Sequence, residues 1–132
     1  MIGLDTNVLV RFLTQDDPIQ AQKVNRLFEE AETTGRNLWI SLITLCELAW
    51  VLESCYDISK NELTEILTKL FRIKQIRIEN TIAAEAALTA YKATSRVDFS
   101  DCLIGFHNAS HHCIHTVTFD KQALRLKEFT PL

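Results

Sequence analysis

Residues 1–10, MIGLDTNVLV, form an apolar run with a single charge, Asp5. Residues 2–4 read as a short strand. Asn7 to Leu13 reads as a helix that follows it, with Thr6 placed to cap it. A carboxylate in such a run is costly unless it is paired, protonated or solvated. Asp5 therefore belongs beside a neutralising group or at the end of the strand, facing a cleft.

The same alternation of strand and helix continues outward from this stretch. Asp17-Pro18 opens a helix with proline at its first turn. Ala21, Val24, Leu27, Phe28 and Ala31 recur at helical spacing, and Gly35 ends the run. Residues 38–40 (LWI) read as a second strand. A helix from 43 to 56 follows, with Leu45, Leu48, Ala49 and Leu52 on one stripe. Ser59-Lys60-Asn61-Glu62 is a capping-box pattern, opening a helix with Leu63, Ile66, Leu67, Leu70 and Phe71 inward. Residues 76–79 alternate as a strand, and 80–93 and 100–111 read as helices. Residues 114–118 form another strand, and a short helix and a strand near 128–129 close the chain. Strands separated by helices of this length predict an α/β fold, its sheet mostly parallel with about five strands and covered by helices. In such folds ligands bind beyond the carboxyl ends of the strands. Asp5 follows the first strand, and Asp120, in TVTFDKQAL, follows the fourth.

The chain has 132 residues, 47% hydrophobic and 23% charged, with 3 Gly and 2 Pro. That suits one compact domain with a real core and excludes a disordered or fibrous chain. No stretch approaches a membrane-spanning length of uncharged residues. The N-terminus lacks the features of a signal peptide, so a cytoplasmic location is expected. Cys46, Cys55, Cys102 and Cys113 form no C-x-x-C pair and read as reduced thiols. The net charge of −3 argues weakly against nucleic acid as a partner.

Three further carboxylates stand in unusual places. Glu47 is the only charge between Ser41 and Leu52. Asp98 and Asp101, in RVDFSDCLIGF, lie three residues apart at a helix start and project to one side. Each has an ordinary alternative: Asp98 or Ser100 as a helix cap, Asp101 as a dipole partner, Asp120 as a turn residue. Glu47 has the weakest, an ion pair with a distant arginine. Together, Asp5, Glu47, Asp101 and Asp120 form a set that a divalent cation would hold against mutual repulsion. Like charges at about 4 Å cost roughly 1–4 kcal/mol at effective dielectrics of 80 to 20. All-oxygen donors point to Mg²⁺ or Mn²⁺.

These residues carry a family resemblance. GLDTNVLVRFL at 3–13, SLITLCELAWVL at 41–52, DFSDCLIG at 98–105 and TVTFDKQALRL at 116–126 resemble, in order and spacing, the PIN-domain nucleases. Within them they resemble the VapC-type toxins of bacterial toxin–antitoxin pairs. The resemblance covers essentially the whole chain and implies a single PIN domain over 1–132, an α/β/α sandwich that cleaves RNA with Mg²⁺ or Mn²⁺. Asp5, Glu47, Asp101 and Asp120 match the four acidic positions. Asp98 matches an extra acid of one branch, and Asn7 and Thr118 match polar positions that orient carboxylates or water. It also implies a homodimer and a small antitoxin partner. Phe12, Leu27, Phe28, Leu67 and Phe71 are candidates for the antitoxin groove, with plain core as the alternative for each.

A metal lowers the pKa of its bound water and neutralises charge on a phosphate under attack. Asp5 and Asp101 are expected as the firmest ligands. Glu47 and Asp120 would complete the shell, hold a second ion or orient the water. Setting five acids aside turns the net charge of −3 into +2, which weakens the charge objection. Arg11 and Arg96, beside acidic motifs, are candidates for RNA or partner contact. Other readings are open. His107, His111, His112, Cys113 and His115 carry one zinc-compatible i, i+4 pair, but no outlying ligand set. An aspartyl phosphatase of the haloacid dehalogenase type wants an acid where Asn7 stands. An RNA-processing nuclease outside a toxin pair would share the same blocks, whereas a PIN-like domain kept only for binding would be marked by loss of a core acid, and all four are present.

Overall fold

The computed structural model describes residues 1–132. Each of the first three strands feeds a pair of helices. β1 (Ile2–Gly3) leads to α1 (Thr6–Thr14) and α2 (Pro18–Thr34). β2 (Leu38–Ile40) leads to α3 (Leu42–Cys55) and α4 (Lys60–Phe71). β3 (Ile76–Ile78) leads to α5 (Thr81–Ala93) and α6 (Phe99–Ser110). β4 (Thr116–Thr118), a 3-10 turn at Ala123–Arg125 and β5 (Phe129–Pro131) close the chain.

All strand pairs are parallel. Ile2 lies opposite Leu38 and Leu38 opposite Ile76 in the ladder β1–β2–β3, and Thr116 lies opposite Phe129 in the ladder β4–β5. The fold is α/β with six helices, as the alternation of patterns predicts. The five strands divide into ladders of three and two, where one sheet was expected. β1 directs its amides to β2, Ile2 N–H to Asn37 at 3.0 Å and Leu4 N–H to Trp39 at 2.8 Å. The strand expected over 114–118 begins only at Thr116.

Burial explains the sheet. Leu38 and Ile40 of β2 are fully buried, as are Leu45, Leu48 and Leu52 of α3 and Leu63 and Leu67 of α4. Ile76 and Ile78 face inward while Arg77 between them is exposed. Each fully buried leucine contributes about 1.5–3 kcal/mol relative to exposure. Leu67, a candidate for the partner groove, is therefore plain core. Phe12 and Phe28 stack face to face, ring centroids 3.8 Å apart. They line a groove of about 500 Å³ with Ile73 and Lys74.

The helix starts fall into two kinds. Asp17 accepts from the amides of Ile19 and Gln20, Ser41 from Thr44, and Asn80 from Ala83. Ser59 and Glu62 form the reciprocal capping box expected from the sequence. Gly35, at φ 68°, ends α2 in the left-handed region that glycine adopts freely. α1 and α6 differ. Asp5 and Asp98 occupy their N-cap positions in extended backbone, and neither side chain caps. Thr6, expected as the cap of α1, is instead its buried first residue, because the extended residue before the helix is Asp5.

Candidate active site

The acidic candidates Asp5, Asp98, Asp101 and Asp120 stand at or near strand ends and helix starts, and Glu47 lies within α3. Asp5 follows β1, Ser41 follows β2 and Glu79 follows β3, each a residue or two past the strand. Two of these are occupied locally. Ser41 caps α3, and Glu79 Oε2 accepts the Leu42 amide at 2.8 Å, supporting the same helix end. Asp5 is exposed and its carboxylate has no hydrogen-bond or ion-pair partner. Glu47, on α3, is likewise exposed and unpaired.

α6 supplies the best-defined part of the site. Asp101 stands half-buried in its first turn. Burial pushes its carboxyl up from the ordinary range, and the charges of Asp98 and Asp120 push it further the same way. These three acids therefore share one field, although Asp120 lies in a different segment. No lysine or arginine forms an ion pair with any of them, the single salt bridge of the molecule being elsewhere. Asp98 is not a helix cap by side chain, so the cap reading of that residue does not hold.

Asp120 is fixed by its own turn. Its Oδ1 accepts from the Gln122 amide at 2.8 Å, and its amide donates to Thr118 Oγ1 at 3.0 Å. Thr118 thus sets the backbone that presents Asp120. The turn role and the site role coexist, since one carboxylate oxygen of Asp120 takes no hydrogen bond.

Cys46 precedes Glu47 and borders the same acids. Burial pushes its thiol up, a hydrogen bond with Ser100 pulls the other way, and the charge of Asp101 adds to the rise. Cys102, beside Asp101 in sequence, is fully buried and pushed up to about 12, first by burial and then by Asp101. Both thiols stay protonated at neutral pH and leave the metal-ligating chemistry to oxygen. All four cysteines are free.

Sequence reasoning passed over a second layer. Glu53 on α3 accepts from Tyr91 Oη at 3.2 Å, and burial and then the charge of Asp98 raise its carboxyl, opposed by that hydrogen bond. Tyr91 is raised in turn by burial and by Glu53. Glu53 lies 38 residues from Tyr91, and no local pattern marks that pairing.

The basic candidates divide. Arg11 donates to Gln20 at 2.7 Å, and to Asp16 and Tyr56 at 3.1 Å each. It holds the corner between α1, α2 and α3. Together with Asn7, Val8, Gln20, Lys23 and Val24 it also lines a groove of about 310 Å³, which begins two residues past Asp5. Arg96 is exposed and without a hydrogen-bond partner, at φ 59° in the turn before α6. His107 and His111 pack edge to face with ring centroids 4.6 Å apart, and Asn80 Nδ2 lies 3.1 Å from His107 Nδ1. His112, Cys113 and His115 leave the helix and are exposed.

The structure thus brings Asp98 and Asp120 into the field of Asp101, while Asp5 and Glu47 are exposed and unpaired. No three His, Cys, Asp or Glu side chains stand close enough to hold a metal ion among themselves. The donor chemistry nonetheless fits a hard cation: oxygens only, unpaired, and mutually repelling. No helix is long and apolar enough to cross a membrane.

The sequence model of one protein family, described as PIN domain, matches residues 2–128. No curated protein matches the chain, and no solved structure matches it.

Proposed function

The chain belongs to the PIN domain family, whose members are generally nucleases acting on RNA, and on that premise we propose that it is a metal-dependent endoribonuclease. Mg²⁺ or Mn²⁺ is the proposed ion. The observation that carries this reading is the half-buried carboxylate of Asp101, which shares its field with Asp98 and Asp120 while no lysine or arginine forms an ion pair with any of the three. Such a cluster weakens the folded state unless an ion from solution offsets it.

In this reading Asp101, Asp5, Glu47 and Asp120 hold the ion, with Asp98 as a further ligand. Mg²⁺ usually retains several waters and takes one or two carboxylates, a habit compatible with acids that do not close around a point. When bound, the ion supplies a nucleophilic water at neutral pH and neutralises charge on the phosphate. The chain's own residues do the rest. Thr118 fixes the turn of Asp120, and the exposed carboxylate of Glu47 is free to orient a water. Asn7, Arg11 and Lys23 offer an amide and two cations along the groove beside Asp5, suited to the backbone of a bound RNA.

The finer assignment is that of a VapC-type toxin of a VapBC pair: a cytoplasmic homodimer held inactive by a small antitoxin. The resemblance of the four sequence blocks to the VapC-type toxins supports it. The groove that Phe12, Phe28 and Ile73 line together with polar and charged residues such as Glu29, Glu32 and Lys74 offers a mixed seat for an antitoxin segment.

The test is cleavage of a mixed RNA pool by the purified protein in Mg²⁺, in Mn²⁺ and in EDTA. Cutting is expected with either metal and not in EDTA. Asp5→Asn lowers the rate by at least about a hundredfold, since a metal site supplies several kcal/mol at the transition state. Equal cutting in EDTA, or by the variant, contradicts the proposal.

A further inference from the structure

We infer that Lys60 is a positioning residue for the α6 carboxylates, its ammonium clasping the turn that delivers Asp98 and Asp101. The inference rests on the carboxylate site proposed above. Lys60 is the first residue of α4, remote in sequence from both acids. Its Nζ donates to the Thr94 carbonyl and lies 4.8 Å from the centroid of the Tyr91 ring. Thr94 is the C-cap of α5. A cation is favoured there twice, by the negative end of the helix and by the face of the ring.

The contact falls where placement matters. Three residues separate Thr94 from Asp98, and among them Arg96 takes a φ of 59°. A non-glycine residue holds that conformation only when its surroundings fix it. Tyr91 supplies the other half of the fastening. Its ring meets Phe99 edge-on, centroids 5.8 Å apart, and its hydroxyl donates to Glu53. Glu53 belongs to α3, Tyr91 to α5, Phe99 to α6 and Lys60 to α4, so four helices meet at this point. Neither Asp98 nor Asp101 has a side-chain hydrogen bond, so the backbone of the turn alone aims them. The Lys60 charge also reaches the first turn of α6, where it opposes Asp101 in its effect on Cys102.

Lys60→Met keeps the aliphatic stem and removes the charge, and Lys60→Arg keeps the charge. Amide hydrogen exchange is followed peptide by peptide, and Mn²⁺ affinity by calorimetry. Lys60→Met is expected to speed exchange over residues 94–102 selectively and to weaken Mn²⁺ binding about tenfold, the usual effect of losing a residue that supports metal ligands. Lys60→Arg is expected to restore both. Lys60→Gln, a neutral donor, takes the place of the methionine variant if that one does not fold. Exchange unchanged over 94–102, or raised as much in β2 and α3 as in the turn, overturns the inference. A wild type that binds no Mn²⁺ contradicts the metal reading of the site, and the exchange pattern over 94–102 still decides the clasp.

Discussion

Four helices of this protein begin with a side chain that caps them, and two begin with an aspartate that does not. Asp17, Ser41, Ser59 and Asn80 each accept an amide hydrogen bond at the start of α2, α3, α4 and α5. Asp5 and Asp98 occupy the same position at α1 and α6 and accept none. An N-cap hydrogen bond is worth about 1 kcal/mol, and aspartate is among the best residues for it. The stabilisation forgone is concentrated at the two acids that border the proposed site. The helix dipole still favours a negative charge at those positions. A helix start without its cap therefore presents a carboxylate whose oxygens are all available to a ligand.

Alanine substitution at the six starts sharpens the contrast. Asp17→Ala and Ser59→Ala are expected to lower stability by about 1 kcal/mol each in urea unfolding without metal. Asp5→Ala and Asp98→Ala are expected to change it by less than about 0.5 kcal/mol, the range of surface substitutions. Equal losses at all six would show that Asp5 and Asp98 cap in solution, and the distinction would vanish.

A smaller effect separates the half-buried acid from the capped ones by pH. The folded-state pKa of Asp101 is raised, by burial and then by Asp98 and Asp120. A raised carboxyl binds its proton more tightly folded than unfolded, so this group's contribution to stability is largest in acid and declines as pH rises through the folded value. In EDTA, Asp101→Asn is expected to gain on the wild type as pH rises from about 4 to about 7. A constant gap contradicts the shared field. Asp16 has the opposite sign. Tyr56, Thr14 and Arg11 hold its carboxyl below the usual range, so its contribution is present at neutral pH and is lost in strong acid.

Much of this was legible in the sequence because the signals are local. The alternation of apolar strands and helices gave the parallel α/β class. Asp17-Pro18 and Ser59-Lys60-Asn61-Glu62 announced their helix starts. The blocks around Asp5, Glu47, Asp98 and Asp120 carried the family, which the match over residues 2–128 bears out. What stayed hidden depends on tertiary approach. Glu79 supports α3 from 37 residues away, and Glu53 meets Tyr91 across 38. Arg11 reads from the sequence as a candidate for RNA or partner contact, and its bonds to Asp16, Tyr56 and Gln20 stayed hidden because those residues come together only when α1, α2 and α3 pack. The division of the five strands into two ladders depends on where strand pairing stops, which residue patterns mark poorly.

On the proposed function, the uncapped and repelling acids are kept open for a cation. Urea unfolding with and without saturating Mn²⁺, on the wild type and on Asp101→Asn, tests it most directly. At a free ion concentration of about 100 times Kd, the wild type is predicted to gain roughly 2.7 kcal/mol, and Asp101→Asn to gain almost none. No gain in the wild type, or an equal gain in both proteins, would contradict it.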